Sequence, residues 1–138
     1  MKSIPFILLL ILTKHLVAQQ ATDTMAHPHT TANILLEQLL SSEASQNNMV
    51  RIETVTFPPG YQSKKHRHPC PLFVYVLEGE LLSEFEGVKK VYKTGSVFYE
   101  KENGLHSLTQ NNSQTVPAKI LIVYLMKKGM ETFAPVQQ

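Results

Sequence analysis

The segment Gly60-Tyr61-Gln62-Ser63-Lys64-Lys65-His66-Arg67-His68 sets two histidines two residues apart. In an extended chain the side chains at i and i+2 leave from one face, so His66 and His68 can aim two imidazoles at a common point. Neutral imidazole nitrogens suit a first-row transition metal. A third histidine, His106, opens the later segment His106-Ser107-Leu108-Thr109. If that strand lies beside the first, His106 completes a facial set of three nitrogens and leaves other coordination positions open. The single cysteine, Cys70, excludes an intrachain disulfide framework and any CxxC-type zinc site. A metal site must therefore rest mainly on the six histidines and the carboxylates. His27-Pro28-His29 repeats the spacing, but no strand pattern surrounds it, and it reads as solvated tail.

The elements that must position these residues come from 138 residues, enough for one domain of ordinary size. The net charge is +2, and the basic residues are dispersed apart from Lys64, Lys65 and Arg67. Without a basic stripe to track phosphates, nucleic acid is excluded as a main partner. Residues 1–18 read as a secretory signal peptide: Lys2, an apolar run from Ile4 to Leu12, and Ala18 before Gln19. That run is too short for a spanning helix, so no permanent membrane anchor is expected, and the chain is predicted to be secreted or periplasmic. Removing residues 1–18 takes away Lys2 and Lys14 and leaves 120 residues with 11 basic and 11 acidic side chains, a nearly neutral domain.

Residues 19–30 read as a polar linker, and residues 31–138 as one domain with its core at about 49–128. Leu35, Leu36, Leu39 and Leu40 recur at a spacing that predicts a short helix over Thr31 to Glu43, capped by Thr30 or Thr31. Beyond Asn47-Asn48 the texture changes to short strand signals parted by turns. These are Met49 to Phe57, Leu72 to Leu77, Leu81 to Phe85, Val88 to Tyr92, Gly95 to Tyr99, Ser107 to Thr109 and Ile120 to Tyr124. Such a series predicts an all-β sandwich or barrel. Tyr75, Phe98 and Tyr99 fall where side chains line or back that core, Lys64, Lys65 and Arg67 on a solvated face outside the histidine strand. Asn111-Asn112-Ser113 is an N-x-S sequon.

At this point the sequence resembles the cupins, whose two motifs read G-x5-H-x-H-x3,4-E-x6-G and G-x5-P-x-G-x2-H-x3-N. Gly60, His66, His68 and Gly79 keep the first spacing, and Gly95 and His106 keep the second, across roughly Met49 to Lys128. The resemblance implies an all-β, jelly-roll barrel with the short N-terminal helix appended. It also implies one divalent transition metal (Fe, Mn, Zn, Ni or Cu) held by His66, His68 and His106. Leu72 stands where the family carries its glutamate ligand, Lys101 at the proline, Asn103 at the glycine and Gln110 at the asparagine. The usual three-histidine, one-glutamate set is thus broken, and Glu100 or Cys70 is left as a replacement ligand. Glu100 can instead orient a histidine or serve as the catalytic acid or base.

The resemblance implies a metal-dependent oxygenase, or a related lyase or isomerase, acting on a small organic molecule. A non-catalytic module that binds a small ligand or metal for sensing or storage is the rival, favoured by the lost glutamate. Cupin-like barrels often pair, so a homodimer bridged by the leucine stripe is a further implication.

Overall fold

The computed structural model describes residues 29–40 and 47–137. The proposed signal peptide, most of the linker and His27 lie outside the described residues. Among the described residues, ten strands form two five-stranded antiparallel sheets. In chain order they are β1 (Thr31–Leu39), β2 (Asn48–Phe57), β3 (His66–Arg67), β4 (Leu72–Glu78), β5 (Glu80–Phe85), β6 (Val88–Lys93), β7 (Val97–Glu100), β8 (Leu105–Gln110), β9 (Ala118–Lys127) and β10 (Ala134–Pro135). The first sheet runs β1-β2-β9-β4-β7 and the second β10-β3-β8-β5-β6.

Alternation with period two decides which side chains go inside. On β4, Leu72, Val74 and Val76 are buried while Phe73 and Tyr75 are exposed; on β9, Ala118, Ile120, Ile122, Tyr124 and Met126 are buried. Phe98 of β7 packs on this core, but Tyr75 and Tyr99 face outward, contrary to the expected lining role. The second sheet presents a different inner face: Leu81 is apolar, but Ser83, His66, His106 and Thr109 are polar and buried. The interior therefore has an aliphatic wall on one side and a polar wall on the other.

Two expectations are corrected. The sheets do not close into a barrel: no strand ladder joins β7 to β6 or β1 to β10. At the β6–β7 seam, side chains take the place of backbone bonds, with the rings of Tyr92 and Phe98 stacked at 4.0 Å. Lysines at 89, 90 and 93 on β6 discourage edge pairing. The result is a jelly-roll-like sandwich. The N-terminal helix is also absent: Thr31–Leu39 is a strand, paired with β2 from Thr31↔Thr56 to Leu39↔Met49. A register shift between Ile34 and Leu36 inserts Leu35 as an extra residue and breaks the alternation, which is why the leucine spacing imitates a helix. A short helix with no surface to pack on gains little, whereas the open edge of β2 supplies a hydrogen-bonding partner for every second residue.

Gly79 makes the turn from β4 to β5 with φ +72°, and a Cβ there would sit 3.0 Å from the Pro117 carbonyl oxygen. Only glycine meets both demands.

Candidate metal centre

His66 and His106 are direct cross-strand partners in the β3–β8 pair, so both rings leave the same face of the second sheet toward the interior. Their ring centroids lie 4.8 Å apart, and the His68 ring is 5.0 Å from that of His66. His68 lies just past β3; its carbonyl accepts the Asn103 N–H at 2.7 Å, which ties it to the turn that leads into β8. One potential ligand atom from each of the three histidines falls within 4.8 Å of the others. The structure thus brings together the three residues expected from spacing.

Each ring has its far nitrogen occupied. His66 Nδ1 donates to the Lys64 carbonyl at 2.9 Å and His68 Nδ1 to the Thr132 carbonyl at 2.5 Å. Both therefore keep an Nε2 lone pair for a metal. His106 is reversed: its Nε2 meets the hydroxyls of Ser83 at 3.1 Å and Thr109 at 2.9 Å. With the proton on that nitrogen, Nδ1 presents the lone pair. Burial pushes His66 down from 6.5 to about 4, with the neighbouring imidazoles adding to the shift, and burial also lowers His68. Near neutral pH these two rings are uncharged, as ligands must be.

Glu100 lies between two of the rings. Its Oε1 is 3.3 Å from His106 Nδ1 and its Oε2 is 3.7 Å from His68 Nε2, with the residue only 2% exposed. Despite these approaches, Glu100 Oε2 and His106 Nδ1 have no hydrogen-bond partner. A buried carboxylate oxygen and a buried ring nitrogen left unpaired side by side are costly, and a cation between them satisfies both. The residues present thus fit a divalent transition metal: three imidazole nitrogens and a carboxylate is a donor set suited to such an ion.

The cluster opens on a cavity of about 240 Å³ whose other walls include Val55, Phe57, Val74, Leu81, Ile120 and Ile122. One further acid enters it. Glu53, on β2, is buried, accepts the Tyr124 hydroxyl at 3.0 Å and lies 3.3 Å from Arg51 Nε. Burial, reinforced by Glu53, raises the Tyr124 phenol well above its ordinary range, so it remains a hydrogen-bond donor. The Tyr124 ring lies 6.0 Å from the His68 ring. At the mouth Phe133 stacks on His66 with centroids 4.8 Å apart.

A family model for the cupin domain matches residues 53–124, just over half of the chain. The chain is a cupin. Among solved structures, a cupin domain from Bordetella pertussis Tohama I is similar, with 23% identity and TM-score 0.56 over 74% of this chain and 98% of that one. KdgF from Halomonas sp. shows 16% identity and TM-score 0.58, covering 72% and 81%. A structure from a study of DMSP lyases shows 17% identity and TM-score 0.56, covering 64% and 44%. At these identities the likeness concerns the fold. Comparison with curated protein sequences gives no match.

The departures of this cupin from the family pattern now have physical accounts. Asn103 adopts φ +57°, the left-handed conformation for which the pattern's glycine is suited and which asparagine tolerates. Lys101, at the proline position, pairs with Glu86 at 2.7 Å. Asn111 stands one residue past the pattern's asparagine, 1% exposed, its side-chain amide directed at the carbonyls of Phe57, Pro58 and Val116. In the folded chain the sequon nitrogen is thus buried and hydrogen-bonded. Cys70 does not line the histidine cavity but a separate one. Lys64 reaches the histidine cavity, whereas Arg67 donates to the Asn103 carbonyl.

Sequence reasoning did not single out Glu53, Ser83, Thr109, Tyr124, Thr132 or Phe133 for the site. Glu53 and Ser83 had a usable signal, each a polar residue at an inward position of an apolar strand, Glu53 in step with Val55 and Phe57 and Ser83 with Leu81. Thr132 and Phe133 carried none, because only the return of the C-terminal segment along β3 brings them to the cluster.

Proposed function

We propose that this cupin is a divalent-metal-dependent enzyme acting on a small, largely apolar organic molecule, with His66, His68, His106 and Glu100 as the metal ligands. The observation that carries the reading is the pair of unpartnered buried atoms, Glu100 Oε2 and His106 Nδ1, beside two imidazoles whose Nδ1 protons are already committed. When bound, the ion supplies Lewis-acid polarisation of a substrate oxygen. Val55, Phe57, Leu81, Ile120 and Ile122 exclude water and favour an apolar body in the cavity, whose size suits a small ligand.

Glu53 and Tyr124 supply the proton chemistry. The Glu53 carboxylate can accept a proton from substrate, and Tyr124 orients it through the hydroxyl hydrogen bond. This pair favours a lyase or isomerase over an oxygenase, since both of those reactions turn on moving a proton. That one of the similar structures comes from work on DMSP lyases agrees with the small-molecule lyase class. Secretion or periplasmic export through residues 1–18 is part of the same proposal.

The test begins with metal content of protein prepared without a histidine tag, compared with a His66→Ala, His68→Ala, His106→Ala variant. Bound divalent metal in the first and none in the second is expected; equal divalent metal in both overturns the assignment. Product formation from small hydroxy, carbonyl and sulfonium compounds without oxygen uptake then supports a lyase or isomerase. Oxygen uptake would place the chain among oxygenases, and metal binding without any turnover would make it a binding module.

A further inference from the structure

A second cavity of about 360 Å³ lies where β2 begins and β9 ends, and sulfur side chains gather on its walls. Met49, Met126, Met130 and Cys70 all line it, three of the five methionines and the one cysteine of the chain. The strand register explains the gathering. Met49 and Met126 are direct partners in the β2–β9 pair. Leu72 is paired with Tyr124, and the Leu125 N–H donates to the Pro71 carbonyl at 3.1 Å, so the same register continues backward from β4 and sets Cys70 opposite Met126. Met49, Met126 and Cys70 thus form one row across three neighbouring chains, on the inner side of the sheet. Met130 joins them from the turn after β9, where its N–H donates to the Lys127 carbonyl at 3.1 Å.

Methionine at one such position is ordinary gap filling. Three thioethers and a thiol on one cavity are a donor set, and a soft one. Soft sulfur donors select copper(I) and its analogues over the harder divalent ions that imidazole and carboxylate accept. Charge points the same way: Glu102 and Lys127, which also line the cavity, balance each other, and a monovalent ion replaces the thiol proton one for one (Cys–SH + M⁺ → Cys–S–M + H⁺), leaving a neutral unit on the wall. A divalent ion would leave a net positive charge among thioethers, which is unfavourable in poorly solvated surroundings.

We propose that this cavity is a binding site for a monovalent soft metal ion of the copper(I) class, with Cys70 Sγ as the anionic ligand and Met49, Met126 and Met130 as thioether ligands. It is separate from the histidine site and stands or falls independently of it.

Silver(I), a redox-inert stand-in, tests the site on the full chain carrying His15→Ala, His27→Ala, His29→Ala, His66→Ala, His68→Ala and His106→Ala, which removes competition from imidazole. The expected result is one silver ion per chain, with affinity lowered roughly 100-fold by Cys70→Ser and roughly tenfold by Met126→Leu. The wild-type protein labelled with ¹³C at the methionine methyls gives a readout that needs no substitution at the site. The resonances of Met49, Met126 and Met130 should move on adding silver(I), while those of Met1 and Met25 should not. Silver binding no tighter in the Cys70 protein than in Cys70→Ser overturns the proposal. So does binding that leaves all three methyl resonances in place, which would mark an ion held by the thiol alone.

Discussion

Leu72 on β4 and Glu100 on β7 are direct cross-strand partners, and both are buried on the inner face of the first sheet. Position 72 is where the cupin pattern carries a carboxylate, so this chain has its carboxylate on the neighbouring strand, directly across from that position. In an antiparallel pair, opposed residues sit roughly 5 Å apart, a distance a glutamate side chain spans. With Glu100 as the proposed ligand, the site keeps the charge that the pattern places at position 72. Glu100→Gln is expected to lower divalent-metal affinity by roughly tenfold or more, read by titration calorimetry. Leu72→Glu alone should weaken both folding and binding, because it sets a second buried carboxylate against the first. The exchange Leu72→Glu with Glu100→Leu should bind better than Glu100→Leu alone. Unchanged affinity in Glu100→Gln would show that the carboxylate is not a ligand.

Removal of metal should expose a pH dependence of folding centred on His66. Its pKa is about 4 in the folded chain against an ordinary 6.5, chiefly from burial. Between those values the unfolded chain takes up a proton that the folded chain refuses, so stability falls as pH drops from 6.5 toward 4 and is unaffected by this group above 6.5. The loss is on the order of 3 kcal/mol. Urea midpoints measured in chelator at pH 7.5 and 4.5 should differ by less in His66→Gln than in the wild type. Equal pH dependence in the two proteins would remove His66 as the cause.

The C-terminal segment is expected to control metal affinity without building the sandwich. The Thr132 carbonyl fixes the His68 tautomer, Phe133 stacks on His66, and β10 pairs along β3 with Pro135 opposite His66. Partners that fix a ligand imidazole are worth roughly 10- to 100-fold in metal affinity. Removing residues 131–138 should bring such a loss while the circular dichroism of β1 to β9 is retained, since those strands end before this segment and Met130, which packs on the core, is kept. Phe133→Ala should give a smaller loss. Full affinity in the truncated chain would mean that His68 keeps its orientation by other means.

The contrast between these residues and the histidines explains what could be read from the sequence. His66 and His68 were legible because strand geometry alone puts i and i+2 on one face, and His106 because it opens a segment of strand-like composition and stands at the cupin spacing from Gly95. Seven strands, β2 and β4 to β9, were legible from alternation and turn residues. β1 was not, because one extra residue at Leu35 shifts its alternation into a helical spacing. β3 and β10 have two residues each, too short for any periodicity. Ring closure could not be decided from pattern, because both a barrel and a sandwich alternate. Thr132 and Phe133 enter the site through long-range return of the chain, which no local signal carries.

Glu53 and Tyr124 offer the sharpest separation between holding a metal and using it. Neither is among the proposed ligands, yet both line the same cavity, and the Tyr124 hydroxyl is bonded to Glu53 at 3.0 Å. Glu53→Gln keeps the shape and a hydrogen-bond acceptor but removes the proton-accepting charge. It is expected to lower turnover by roughly 10²- to 10⁴-fold while metal content stays at the wild-type level. Tyr124→Phe leaves the carboxylate in place and deletes only its orienting bond, so a smaller loss of kcat, with a changed pH profile, is expected. Arg51, 3.3 Å from Glu53 and 3.6 Å from Glu37, still has a carboxylate partner on β1 in Glu53→Gln, which limits the damage to folding. If Glu53→Gln turned over substrate as well as the wild type, the proton would have to leave through Glu100 or the histidines, and Glu100→Asp would then become the decisive variant.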